Sequence, residues 1–138
     1  MGRDNARLAP DRIAAVLAVI AQADGAVLVH CAGGRDRTGM ISAMLLHIAS
    51  ATDEAIIEDY AAGWRGAGAY AGHGWVYDPG QEGWQRHRHG PTDPTELERQ
   101  IADRLPALHE WIATFDSTDL VKPDDVRALR SRLVPSGT

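Results

Sequence analysis

The sequence predicts a single, mainly helical α/β domain. Three observations carry this. Apolar residues recur at helical spacing in five separate stretches. One stretch alone, Ala26 to His30 (AVLVH), is a short Val-rich run bounded by glycines, the pattern of a buried strand. The residues after it are apolar round most of a helical circumference, so that helix is expected to be buried on most sides. Helix, strand, tight glycine loop and buried helix in that order make a piece of an α/β sandwich.

Each element has its own grounds. Pro10 to Ala23 reads as a helix, with Pro10 in the first turn, Asp11 at the positive end and Ile13, Val16, Leu17 and Ile20 on one stripe. Asp24-Gly25 ends it. Gly33 to Gly39 is a loop, and Thr38 to about Ala49 is the buried helix, carrying Met40, Ile41, Met44, Leu45 and Ile48. A third helix starts after Thr52, capped by Thr52 or by the Ser50/Asp53 pair, and runs through Ile56, Ile57 and Tyr60 to about Ala62. Gly63 to Gly90 holds eight of the 14 glycines and three of the four tryptophans, without a clean period, so it reads as a long irregular segment. Its aromatic residues Trp64, Tyr70, Trp75, Tyr77 and Trp84 are expected to pack it onto the body, with the lining of a ligand pocket as the alternative. Thr92 to Phe115 returns to helix, split just before Pro106, with Leu97, Ile101, Leu105, Leu108, Ile112 and Phe115 on one face. That stripe is read as core, or as a homodimer face. Pro123 to Leu133 is a last helix, with Val126, Leu129 and Leu133 inward.

Composition excludes several classes. The 138 residues make one ordinary domain, taken as residues 1–138 without a linker or repeat. Fourteen Lys and Arg against 19 Asp and Glu give a net charge of −5, which argues against a nucleic-acid partner or an anionic-membrane binder. A single cysteine, Cys31, rules out an internal disulfide. No run of eighteen apolar residues exists to span a membrane, and no signal-type run opens the chain, so the expected location is cytoplasmic. His87-Arg88-His89, with His73 nearby, lacks the Cys or carboxylate pair that metal-ligand spacing requires, so no metal site is expected.

The chemistry-bearing stretch is His30-Cys31-Ala32-Gly33-Gly34-Arg35-Asp36-Arg37-Thr38-Gly39. A thiol at a strand end, a glycine loop and a helix N-terminus together form an anion nest of backbone N–H groups. The amides of Ala32, Gly33, Gly34, Arg35, Asp36, Arg37 and Thr38 are its expected phosphate-binding set. Arg37, six residues after Cys31, closes the ring round one anion, and its planar fork suits two phosphate oxygens. The same surroundings acidify the thiol, with Thr38 able to hydrogen-bond the sulfur. Asp36, the only acid in the loop, is the candidate proton donor to a leaving oxygen. The bland alternatives are a buried structural thiol for Cys31, a role orienting loop amides for Asp36, and, for His30, a structural partner beneath the loop.

Cys, five residues, then Arg-Thr is the signature of cysteine-dependent phosphatases. The fuller His-Cys-x-x-Gly-x-Asp-Arg-Thr-Gly form resembles the bacterial atypical protein tyrosine phosphatases, whose loop is also similar to that of phosphoinositide phosphatases. The resemblance implies Cys31 as nucleophile, Arg37 as phosphate ligand, Asp36 as acid, and no cofactor. It also implies phosphomonoester substrates on protein, peptide or lipid. Arg35 stands where that family usually has Lys. Only the family's C-terminal half is matched, so the expected fold is the C-terminal half of the phosphotyrosine protein phosphatase fold with a reduced or incomplete central parallel sheet. The expectation is either a self-sufficient short enzyme or a truncated, poorly active phosphate-binding remnant that needs a partner or the N-terminal half. A sulfur-transfer or arsenate-reducing enzyme is disfavoured by the Asp36-Arg37-Thr38-Gly39 run and by the lack of a resolving thiol.

Overall fold

The computed structural model describes residues 9–69, 75–86 and 93–134. Their elements are α1 (Pro10–Gln22), α2 (Asp36–Ile48), α3 (Asp53–Ala69), β1 (Trp75–Asp78), β2 (Gly83–Arg86), α4 (Pro94–Ala102), α5 (Leu105–Thr114), a 3-10 turn (Ser117–Leu120) and α6 (Pro123–Leu133). Helix α2 is central, packed by α1, α3, α6 and the 3-10 turn, while α4 and α5 lie against α3.

The main core joins Leu17 of α1, Met44 and Ile48 of α2, Ile56 of α3 and Leu129 of α6, all fully buried. Each such side chain contributes about 1.5–3 kcal/mol by leaving water. A second cluster gathers Ala61, Trp64, Leu97 and Ile101 where α3 meets α4. Of the Leu97 to Phe115 stripe, Leu97, Ile101 and Ile112 are buried and Leu105, Leu108 and Phe115 are half-buried against the two clusters. Val16, expected inward on α1, is 41% exposed.

The helix boundaries follow local chemistry. Asp93 accepts from the Thr95 and Glu96 amides at 3.0 and 3.1 Å, capping α4. Helix α4 stops at Ala102, and Pro106 sits in the first turn of α5, where its missing N–H costs no bond. Thr52 Oγ1 accepts from the Ala55 amide at 3.3 Å at the start of α3.

Two expectations are corrected. Ala26 to His30 is not a strand: it is irregular chain without a neighbouring strand among the described residues. Leu28 is 86% exposed and Val27 39%, and only Val29 packs on the core. A strand exists only where a ladder partner satisfies its backbone, and no parallel sheet is found among the described residues. The segment is instead tied down by Arg132 of α6, which donates to the Ala23 and Gly25 carbonyls.

The Gly63 to Gly90 segment is the second correction. Its first seven residues continue α3 to Ala69, because Trp64 and Gly68 face the second cluster. A Cβ on Gly68 would stand 2.7 Å from Leu97, so the glycine permits that helix to approach α4. Residues 75–86 form an antiparallel hairpin in which Tyr77 pairs with Trp84. Trp75, Tyr77 and Trp84 are all exposed, so among the described aromatics of the segment only Trp64 packs onto the body. Tyr70, His73, His87 and His89 lie outside the described residues.

Candidate active site

The site begins where the segment from Ala26 reaches Cys31 and the chain turns into α2. Gly34, at φ 65°, adopts the left-handed conformation that lets the loop reverse. Arg35 is the N-cap residue, and Asp36, Arg37 and Thr38 form the first turn of α2, two residues earlier than the sequence pattern indicated. Gly39 serves a different purpose: a Cβ there would stand 3.2 Å from the Tyr60 ring of α3. Gly33 has neither a left-handed φ nor a crowded α-carbon.

The partly buried Cys31 sulfur faces this helix start. Its pKa falls from an ordinary 9.0 to about 6. The Thr38 hydroxyl is the largest cause; burial opposes it, and the amides of Thr38, Gly33 and Gly34 add to the fall. Thr38 Oγ1 is buried and makes no hydrogen bond of ordinary geometry among the described residues. The acidified thiol thus lies at the positive end of α2, with loop amides directed at its sulfur.

The remaining predicted residues are placed as follows. Arg37 is exposed and forms no ion pair among the described residues. Asp36 is partly buried and borders a pocket. Arg35 does not point outward: its guanidinium lies 5.0 Å from the ring centre of Trp64. Ala32, Gly33 and Gly34 are exposed, as a ligand-accessible loop requires. His30 is exposed and makes no hydrogen bond among the described residues, so it is not a support beneath the loop. Among the described residues no group of His, Cys, Asp and Glu could hold a metal ion.

The pocket of about 490 Å³ opens beside this loop, between α2, α3 and α5. Its polar wall is Asp36, Tyr60, Asp103 and Arg104, and its apolar wall includes Met40, Leu108 and Trp111. The Tyr60 hydroxyl is pushed above its usual range by burial; the Trp64 indole opposes this, Asp36 adds to it and Arg104 opposes it. These influences place Asp36, Arg104 and Trp64 round one phenol. Trp64 Nε1 is itself buried without a hydrogen bond of ordinary geometry. Trp64 was singled out in the sequence as an aromatic of the irregular segment, whereas Tyr60 and Arg104 were not read as site residues because they come from α3 and the α4–α5 junction. The one available signal was the Tyr60/Trp64 spacing of four, which puts both on one helix face.

An acidified cysteine at a helix start is an arrangement that thiol-dependent enzymes use. Comparison narrows the class. The model of the tyrosine phosphatase family matches residues 3–118, and the chain belongs to that family. A tyrosine-protein phosphatase of Nostoc commune is 49% identical over 43 residues, which are 31% of this chain and 15% of that protein. The matched stretch is thus a small part of that relative's length. No solved structure matches the chain. Among the described residues no helix is long and apolar enough to cross a membrane.

Proposed function

We propose that the chain is a cysteine-dependent phosphatase that hydrolyses phosphomonoesters through a phosphocysteine intermediate. The observation that carries this reading is the thiol lowered to about 6 at the start of α2, within a chain of the tyrosine phosphatase family. The Cys31 thiolate attacks phosphorus, the P–S bond forms and the ester P–O bond breaks. Asp36 gives its proton to the leaving oxygen. Arg37 and the amides of residues 32–38 hold the non-bridging oxygens and stabilise the charge that develops on them. Water, deprotonated by Asp36, then attacks the phosphocysteine; the P–S bond breaks, and inorganic phosphate and thiolate are released. No metal or organic cofactor takes part. The proposed substrates are phosphotyrosine and, beyond it, phosphoserine, phosphothreonine or phosphoinositide monoesters. A reducing cytoplasm suits a chemistry that depends on one free thiol.

A second reading has its own support. The apolar chain from 26 to 29 carries an 86% exposed Leu28 and no strand partner among the described residues. This favours a phosphate-binding remnant that turns over poorly until a partner or an N-terminal half covers that segment. Hydrolysis of para-nitrophenyl phosphate by the reduced chain separates the two. Turnover abolished in Cys31→Ser and slowed in Asp36→Ala supports the enzyme, whereas a folded, reduced chain that binds vanadate without turnover supports the remnant.

A further inference from the structure

Arg104 occupies an unusual position for a surface cation. It is the N-cap residue of α5 and lies on the wall of the pocket beside the loop. Its guanidinium sits 4.0 Å from the ring centre of Trp64, a side chain only 2% exposed. Its Nη1 donates to the Gln100 carbonyl at 2.7 Å. Two contacts of different kinds thus fix the guanidinium plane. Among the described residues its Nε and Nη2 have no hydrogen-bond acceptor and its charge has no ion-pair partner. Asp103, next in the chain, is engaged with Arg99 at 2.8 Å. The loop's Arg35 lies over the same indole, so the two guanidinium carbons are no farther apart than the sum of their ring distances, 9.0 Å. The result is a fixed cation with unused donors on the wall of a pocket whose lining also holds Asp36, Asp103 and Tyr60 and the apolar Met40, Leu108 and Trp111.

The pocket also borders Asp36, the proposed proton donor to the leaving oxygen. If Asp36 serves that oxygen, the rest of the leaving group lies in the pocket. We propose that Arg104 is a specificity-determining residue that binds a second anionic group of the substrate, carried by an apolar leaving group lodged in this pocket. The substrate class is a phosphomonoester with an aromatic or aliphatic body and a carboxylate or further phosphate next to it. This inference rests on the phosphatase reading of the Cys31 loop and adds the group that selects among its substrates. A charge-assisted hydrogen bond at a partly exposed site is expected to favour such ligands about fivefold to tenfold.

The test uses non-hydrolysable ligands on the intact chain, so it does not depend on turnover. Dissociation constants are measured by calorimetry for phenylphosphonate and for 3- and 4-carboxyphenylphosphonate. The expected result is a fivefold to tenfold preference for one carboxylated isomer. That preference should fall to about one in Arg104→Met, which keeps an unbranched stem against Trp64 and removes the charge. Arg104→Lys should keep part of it, and raising salt from about 50 to about 500 mM should shrink it in the native chain. A merely structural Arg104 would leave the ratio between the two ligands unmoved by charge or salt. A native ratio near one for both isomers, or an unchanged ratio in Arg104→Met, overturns the proposal while leaving the loop reading intact. Failure of phenylphosphonate to bind at all overturns the loop reading, and the Arg104 proposal with it.

Discussion

The acidity of Cys31 is the most direct quantity to perturb. Alkylation by iodoacetamide reads it, since the thiolate is the reacting form. With a pKa of about 6, the thiol is about nine-tenths ionised at pH 7, against about one part in a hundred at the ordinary 9.0. The Thr38 hydroxyl is the largest cause of that fall, so Thr38→Val removes it while keeping the branched shape. A hydrogen bond to a charged group is worth about 1.5–3 kcal/mol, and one pKa unit is 1.36 kcal/mol. Because Cys31 is only partly buried, water replaces part of the lost bond, and the low end applies. The alkylation midpoint should therefore rise from about 6 to about 7 in Thr38→Val and stay near 6 in Thr38→Ser. The midpoint and not the limiting rate is the readout, because a less acidic thiolate is intrinsically more reactive and masks part of the loss. The sign of the coupling to folding is also fixed. The folded pKa lies below the unfolded one, so the stability gained by ionising Cys31 is complete above about pH 9, shrinks as pH falls towards 6 and is absent below it. Cys31→Ala should lack that part of the pH dependence in thermal unfolding. A native midpoint above about 8, or a Thr38→Val midpoint equal to the native one, refutes the reasoning.

Three further perturbations test the scaffold. Trp64→Ala should cost about 3–5 kcal/mol in urea unfolding, whereas Trp64→Phe should cost much less, because the indole N–H it removes has no partner of ordinary geometry. Arg132→Ala should cost about 1 kcal/mol and raise amide exchange over residues 23–30, since it frees the Ala23 and Gly25 carbonyls; unchanged exchange there would count against that tether. Leu28→Asp should leave the unfolding midpoint of the isolated chain within error, because the side chain is 86% exposed, whereas a loss of about 2–5 kcal/mol would mean that the segment is buried in solution.

What was legible in the sequence divides along a physical line. Helices close their hydrogen bonds within themselves, and their ends were marked by local chemistry: Pro10, Pro106 and Pro123 each fall in a first turn, and α6 has the bounds that its pattern indicated. The thiol loop was legible for the same reason. Cys31, Gly34 and Thr38 lie within eight residues, so chain geometry alone brings the hydroxyl and amides to the sulfur. Residues 63–69 were misread because three glycines weakened the helical signal, although a buried tryptophan and the close approach of Leu97 to Gly68 outweigh their propensity. The hairpin was missed because its loop, 79–82, lacks the two-residue glycine turn; Glu82 supplies the positive φ instead.

Ala26 to His30 shows why local pattern and tertiary context can part. Its composition is that of a central parallel strand, apolar on both faces, and such strands lie between other strands. The described residues provide one neighbour side only: Val29 reaches the core formed by α1, α2 and α6, and Leu28 points away from it. The segment is nonetheless anchored just before its start by Arg132, on the Ala23 and Gly25 carbonyls, and after its end by the turn into α2. This arrangement separates two requirements of the site. Thiol acidity comes from Thr38 and the loop amides, which the helical body supplies by itself. Rigidity of the 26–30 segment is what neighbouring strands would contribute, so under the phosphatase reading any shortfall in turnover should appear in the ordering of the loop around phosphate and not in the ionisation of Cys31.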